Sequence, residues 1–274
     1  MIEALQFEFM RHALMAGLLV SIACGIIGTF VVLNRIVFIS AGIAHAAYGG
    51  IGLGYLLHFN PMFGAVGFSI AAALGMGAVE RTTRERADTL IGVMWAIGMA
   101  LGVLFIDLTE GYKSDLMSYL FGSILAVPGR ELVMMIGLDA VVVVLAALFH
   151  KELVAMSFDE TFATVRNVPV NTIYMILVCM IALTVVLMMR VVGLILVIAL
   201  LTMPAAISGM FVHDMRKMMG LAAVLGMVFT TFGLALSYAY NLSSGATIVL
   251  TAAAGYLLAL TARVILPRLT RPSP

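Results

Sequence analysis

The architecture of this protein can be inferred from one apolar stretch near its N-terminus. Residues 36–79 read IVFISAGIAHAAYGGIGLGYLLHFNPMFGAVGFSIAAALGMGAV. These 44 residues contain no charge, and they are roughly twice as long as the segment of about 20 residues that one membrane helix needs. The Asn60-Pro61 pair near the middle is typical of a turn. The stretch therefore predicts two transmembrane helices joined by a short connection.

The composition of the whole chain supports a membrane protein. Of its 274 residues, 63% are apolar and only 11% are charged, and the mean hydropathy is +1.15. Soluble domains have about 45–50% apolar and about 25% charged residues. The formal net charge is +1, and no basic stripe is dense enough to follow a nucleic-acid backbone. Both nucleic-acid binding and intrinsic disorder are therefore excluded, and membrane lipid is the expected surrounding.

Further apolar runs predict the remaining spans. They cover residues 12–34, 89–106, 131–149, 170–189, 191–212, 218–239 and 245–263. A shorter apolar piece at 116–129 is too brief to span, and it predicts a re-entrant or interfacial segment. We expect an all-α, polytopic transmembrane helical bundle with about eight to nine spans, organised as a single domain over residues 1–274.

The basic residues indicate an orientation. Lys and Arg are enriched in cytoplasmic loops of membrane proteins. Alternating spans predict eleven basic residues inside: Arg35, Arg81, Arg84, Arg86, Lys151, Arg166, Arg216, Lys217, Arg263, Arg268 and Arg271. Only Arg11, Lys113, Arg130 and Arg190 are predicted outside. The loop near 151–169 is therefore expected to be cytoplasmic.

The second span contains the main candidate site. Ala41, His45, Tyr48 and Gly52 share one helix face, among small residues that favour close helix packing. A histidine inside the membrane costs energy unless it has a partner or faces water. Two interpretations stay open: a packed histidine bonded to a backbone carbonyl, or a metal ligand in a substrate pathway, since neutral imidazole binds several transition metals. Ser40 and Tyr48 join His45 as candidate pathway residues.

Asp139 is the other candidate pathway residue. It lies inside the span at 131–149, where an ionisable side chain suggests a functional site. The alternative is a structural partner of a neighbouring hydroxyl group or of Arg190. The chain contains no P-loop, HExxH or GxSxG motif, so we predict neither ATP binding by this chain nor an enzymatic activity.

The loop near 151–169 predicts a short helix with exposed aromatic residues. Ser157 could cap this helix, with Glu160 three residues later completing a capping box. Phe158 and Phe162 would face water unless something covered them, which indicates a docking partner. The alternative is that the helix packs back on the membrane domain.

The order and spacing of several short motifs resemble the permease subunits of ATP-driven bacterial importers for divalent metals. The similarity covers nearly the whole chain and is closest to zinc-uptake permeases. It is carried by residues 28–32, 43–46, 88–92 and 115–122, and by the stretch from Val192 to Ala206 with its Pro204-Ala205-Ala206 end.

The resemblance implies a transport subunit of the bacterial cytoplasmic (inner) membrane. Its substrate would be a divalent metal, zinc first, with manganese or iron as alternatives. Its partners would be a second copy of the chain, cytoplasmic ATPase subunits that bind and hydrolyse ATP, and an extracytoplasmic metal-binding protein. The chain itself would hold no cofactor. The alternative is an ATPase-independent secondary transporter or channel, which paired acidic residues in the membrane would favour.

The resemblance also assigns roles to particular residues. His45 matches the histidine of the family's second span and becomes the candidate metal ligand. The family usually has an aspartate four residues earlier, where this chain has Ala41. The segment that couples to the ATPase is expected to include Phe158, Asp159, Glu160, Phe162, Ala163 and Arg166.

Overall fold

A computed structural model of the protein describes residues 6–82, 87–109, 122 and 124–269, and the regular structure in these ranges is helical. The helices are α1 (Glu8–Leu33), α2 (Val37–Leu56), α3 (Pro61–Thr82), α4 (Ala87–Asp107), α5 (Gly129–Leu148), α6 (His150–Phe158), α7 (Glu160–Val165), α8 (Val170–Val192), α9 (Leu194–Phe211), α10 (Met215–Tyr240) and α11 (Ser244–Leu269). A short 3₁₀ turn, Ile124–Ala126, precedes α5.

Eight of the described helices are long and apolar enough to cross a membrane: α1, α2, α3, α5, α8, α9, α10 and α11. Helix α4 contributes a shorter apolar stretch, Ile91–Asp107. The prediction of an all-α polytopic bundle with eight to nine spans is therefore confirmed. The predicted segment at 116–129 falls largely outside the described residues, as do Arg84, Arg86, Lys113 and Arg271.

Helix α1 lies at the centre of the bundle. It packs against α10 and α9, and also against α5 and α8. Helix α2 packs mainly between α3 and α4, and this group joins the rest of the bundle through α8. Helices α2, α3 and α4 therefore lie together on one side of α1 and α8. Helices α5 and α10 lie on other sides of α1.

Glycines allow α2 to approach both of its neighbours at backbone distance. A Cβ atom added at Gly50 would lie 2.1 Å from the carbonyl oxygen of Gly64 on α3. A Cβ atom at Gly52 would lie 2.5 Å from the carbonyl oxygen of Gly102 on α4. Small residues permit such contacts between membrane helices. The predicted packing role of the glycine-rich second span is therefore confirmed.

Side-chain contacts group the helix ends into two sets. At one end Asn34 Nδ2 donates to Ser157 Oγ (2.8 Å), Arg81 pairs with Glu160 (2.5 Å), and Arg216 Nε donates to His150 Nε2 (3.1 Å). At the other end Arg190 pairs with Glu131 (3.1 Å), and His12 Nδ1 lies 3.1 Å from the carbonyl oxygen of Val127. The helix ends in the first set are those predicted on the cytoplasmic side from the basic residues. The helix ends in the second set are those predicted on the opposite side. Which end faces the cytoplasm stays a prediction.

Candidate functional site

His45 lies near the middle of α2 and faces α4. Its ring stacks on the indole of Trp95, with ring centroids 3.8 Å apart and an angle of 10° between the planes. The Tyr48 ring, one turn along α2, lies 6.2 Å from the His45 ring. Trp95 Nε1 donates to Met99 Sδ on the same helix (3.2 Å). These contacts bury His45 to 8% exposure while Trp95, at 36%, covers it from outside.

Two polar atoms at this site have no hydrogen-bond partner in the described part of the chain. They are His45 Nδ1 and the Tyr48 hydroxyl oxygen, and both are buried. An unpaired buried polar group costs free energy, and most such groups in proteins are paired. The carbonyl-bonded histidine, one of the two interpretations drawn from the sequence, is therefore wrong for Nδ1. Among the described residues nothing occupies this atom, and its role as a ligand stays a prediction.

Neither residue about one turn before His45, Ser40 or Ala41, brings a charged ligand to the site, and the pathway role of Ser40 stays a prediction. Ser40 Oγ donates to the carbonyl of Val37 (2.7 Å), so its proton is committed within the helix. Ala41 has no polar atom in its side chain. Among the described residues, no three His, Cys, Asp or Glu side chains lie close enough to hold a metal ion together. A closed metal site usually has three or four protein ligands, so the described residues form no closed metal site.

The structure does not bring Asp139 to His45. Asp139 lies on α5, which packs on α1 and α8, whereas α2 packs mainly on α3 and α4. Both Asp139 carboxylate oxygens are buried without a partner among the described residues. Arg190, the structural partner considered from the sequence, pairs with Glu131 instead. The pairing with Arg190 is therefore wrong, no hydroxyl group of the described residues bonds to Asp139, and its pathway role stays a prediction.

The predicted helix cap in the coupling segment is also wrong. Asp159 is the N-cap of α7, and its Oδ1 accepts a hydrogen bond from Phe162 N (2.9 Å). Ser157 still lies inside α6, where its hydroxyl donates to the carbonyl of Leu153 (2.7 Å) and accepts from Asn34 Nδ2. Because a helical serine can bond to the carbonyl four residues back, it is not available as a cap.

Helix α7 has one buried side and one apolar exposed side. Ala163 is fully buried, which fixes the side that faces the bundle. Phe162 and Val165 on α7 are 52% and 77% exposed, and Phe158 at the end of α6 is 61% exposed. The Arg166 guanidinium lies over the Phe162 ring, 5.2 Å from its centroid. The alternative that the helix packs back on the membrane domain is therefore borne out for its Ala163 side, whereas Phe158 and Phe162 stay exposed and their docking role stays a prediction.

Sequence reasoning missed the contacts that hold α7 to the membrane helices. Arg81, at the end of α3, pairs with Glu160 and also lies 4.5 Å from the centre of the Tyr174 ring on α8. The Tyr174 hydroxyl donates to Glu80. The available signal was the Glu80-Arg81 pair directly after a charge-free run. Trp95 was missed as well, although it is the only tryptophan in the chain and lies in the neighbouring apolar run.

Eight helices of membrane length packed in one bundle define a multi-pass membrane protein. The chain belongs to the ABC 3 transport family, which it matches over residues 6–263. The resemblance inferred from its motifs is thereby confirmed.

Individual relatives agree with this family. The chain is 60% identical to an uncharacterized membrane protein of Synechocystis, over 96% of this chain and 94% of that one. It is 36% identical to the manganese transport system membrane protein MntC of Listeria monocytogenes, over 90% and 88% of the two chains. Its fold is similar to that of PsaBC from Streptococcus pneumoniae in complex with Fab, with a TM-score of 0.84, 32% identity and coverage of 94% and 93%.

Proposed function

We propose that this protein is the membrane permease of an ATP-driven importer for a divalent metal ion. The observation that carries the proposal is a buried imidazole, in a chain of the ABC 3 transport family, whose Nδ1 has no hydrogen-bond partner among the described residues. The proposed assembly contains two copies of the chain in the bacterial inner membrane. Cytoplasmic ATPase subunits hydrolyse ATP, and an extracytoplasmic protein delivers the metal.

The arrangement around His45 suits a site that releases its ion. A transport site must bind strongly enough to admit the ion and weakly enough to let it leave. A single imidazole, with Ala41 where an aspartate was expected, binds weakly enough to let the ion leave. The stacked Trp95 ring holds the imidazole plane in one orientation, and Trp95 itself is 36% exposed.

The identity of the metal is proposed from the relatives. The names of the relatives from Listeria and Streptococcus gordonii refer to manganese, at 36% and 30% identity. We therefore propose manganese before zinc, the ion first expected from the motifs, and before iron. A single imidazole does not distinguish between these ions, so the uptake of each ion has to be measured.

The exposed side of α7 is the proposed contact with the ATPase. Phe158 and Phe162 stand out from the end of the bundle and form an apolar surface that a partner would cover. Asp159 caps the N-terminus of this helix, and Ala163 packs against the bundle. Both residues therefore hold the helix in place. The pair between Glu160 and Arg81 connects this helix to α3, and α3 packs against the helix that carries His45.

The test is metal uptake by the full assembly in proteoliposomes, with His45→Ala compared to His213→Ala. His213 is an exposed histidine between α9 and α10, so its replacement removes an imidazole elsewhere. Loss of a contact worth about 1.4 kcal/mol lowers affinity roughly tenfold, so we expect a tenfold loss of manganese uptake at low concentration for His45→Ala only. Unchanged uptake in an assembled His45→Ala variant would contradict the pathway role.

The same preparation separates the two transport classes and the candidate metals. Uptake that requires ATP and a co-purified ATPase supports the importer. Uptake that continues without ATP supports the secondary transporter or channel instead. Zinc and iron supplied at equal concentration compete with manganese, and faster zinc transport would overturn the proposed order of substrates.

A further inference from the structure

A groove lies on a side of the bundle that the proposed metal pathway does not use. It has a volume of about 410 Å³ and opens between α1, α5 and α10. Its walls are apolar and include Ile22, Ile26, Val143 and Met219. Sites for small ligands usually enclose about 300–1,000 Å³ and are lined mainly by apolar groups. The groove is therefore large enough for part of a lipid-sized ligand, and no residue of α2, α3 or α4 lines it.

The groove ends in a cationic group. Arg216 and His150 line this end, and Arg216 Nε donates to His150 Nε2 at 3.1 Å. The bond occupies only one of the guanidinium N–H groups and leaves both terminal nitrogens for another acceptor. Arg216 makes no ion pair with a carboxylate of the described residues. A guanidinium held in this way suits bidentate binding of a phosphate group.

The charges around this end favour an anion. Lys151 and Lys217 are neighbours of His150 and Arg216 in the chain, and both are exposed. Glu152 and Asp214 offset part of this positive charge, and Asp214 is already engaged as the N-cap of α10 through Lys217 N (3.0 Å). With Arg216 included, the basic groups outnumber the acidic ones.

We propose that this groove binds an anionic phospholipid of the cytoplasmic leaflet. The phosphate lies on the Arg216 guanidinium, and an acyl chain follows the apolar walls between α1, α5 and α10. The inference uses the orientation predicted from the basic residues, which places Arg216 on the cytoplasmic side. Basic pockets between membrane helices on that side bind anionic headgroups. The site is independent of the metal that is carried.

Two pairs of variants test the headgroup and the acyl chain separately. Arg216→Gln removes the cation, and Lys217→Gln removes the adjacent charge that does not line the groove. Gly220→Leu fills the groove, since a Cβ atom at Gly220 meets nothing within 4 Å. Gly137→Leu on α5 is the matched control, because its Cβ position is equally open and it does not line the groove.

The measurement is native mass spectrometry of the detergent-extracted assembly, titrated with phosphatidylglycerol or with phosphatidylcholine of the same acyl chains. We expect the unmodified protein to bind phosphatidylglycerol roughly tenfold more tightly, a difference of about 1.4 kcal/mol. Arg216→Gln should lose this preference, Gly220→Leu should lose binding of both lipids, and both controls should bind as the unmodified protein does.

Three results would overturn the proposal. The first is equal binding of the two lipids by the unmodified protein. The second is lipid binding by Gly220→Leu that matches Gly137→Leu. The third is a disulfide between two copies of a Gly220→Cys variant, because it would place a second copy of the chain over the groove. Folding of each variant is checked by its retention in the assembly.

Discussion

The contact between α2 and α3 makes a quantitative prediction for Gly50→Ala. The added methyl group would lie 2.1 Å from the carbonyl oxygen of Gly64 and 2.5 Å from its carbonyl carbon. The obstacle is backbone, so no side chain can rotate away. Ordinary non-bonded contact is about 3.5 Å, and the two helices would have to separate locally by roughly 1.4 Å. The variant should therefore loosen the helix that carries His45.

The size of the effect follows from two opposing contributions. Overpacking of a tight interior costs about 1–3 kcal/mol, and a clash with backbone belongs at the upper end because backbone cannot rotate away. Replacing glycine by alanine within a helix returns about 1 kcal/mol through helix propensity. We therefore expect Gly50→Ala to lower the free energy of unfolding by about 2 kcal/mol.

Gly67→Ala is the matched control for this substitution. Gly67 lies on α3, and a Cβ atom at this position meets nothing within 4 Å. The control keeps the propensity gain of about 1 kcal/mol without the clash. The two variants should therefore differ by about 3 kcal/mol, which is the cost of the α2–α3 clash alone.

The single tryptophan supplies the assay. Trp95 stacks on His45 across the α2–α4 contact, so its fluorescence reports when α2 leaves its neighbours. Unfolding in mixed micelles with increasing sodium dodecyl sulfate gives the free energy for each variant. Equal stability of Gly50→Ala and Gly67→Ala would refute the close packing of α2 on α3, and with it the rigid placement of His45.

The remaining predictions concern the coupling segment. In Phe162→Asp, metal uptake should fall severalfold while ATP hydrolysis by the partner continues, because a carboxylate disrupts an apolar contact. Phe162→Leu is the control. Normally coupled transport by Phe162→Asp would contradict the docking role. Arg81→Glu and Glu160→Arg should each lower the ratio of uptake to ATP hydrolysis, since the pair is worth about 0.2–1 kcal/mol where exposed. The double exchange should recover part of that ratio, and a double variant no better than the singles would show that the ion pair does not transmit motion.

The helices around His45 offer a physical route for coupling. Arg81 contacts both α7 and α8, and α3 meets α2 through the backbones of Gly50 and Gly64. Packed helices transmit displacement because protein interiors have little free volume. A movement of α7 on its partner would therefore reach α2 through α3. The Arg81 and Gly50 variants test the two ends of this route.

Much of the fold could be predicted because the bilayer imposes it locally. A spanning segment must satisfy its backbone hydrogen bonds internally and present about 20 apolar residues, so charge-free runs such as 36–79 reveal the helices directly. The same constraint makes His45 and Asp139 conspicuous, since polar groups are rare at that depth. The exposed Phe158 and Phe162 were predicted for a related reason, because apolar residues in a polar loop stand out.

The contacts between helices could not be read from the chain. Trp95 lies on His45 because α4 meets α2 along glycines, and nothing in the spacing of either helix specifies which residue faces which. Asp139 is separated from His45 because α5 packs on α1 and α8 instead of α2. Spacing along one helix gives the face that a residue occupies, but its neighbour across that face depends on how distant segments pack together.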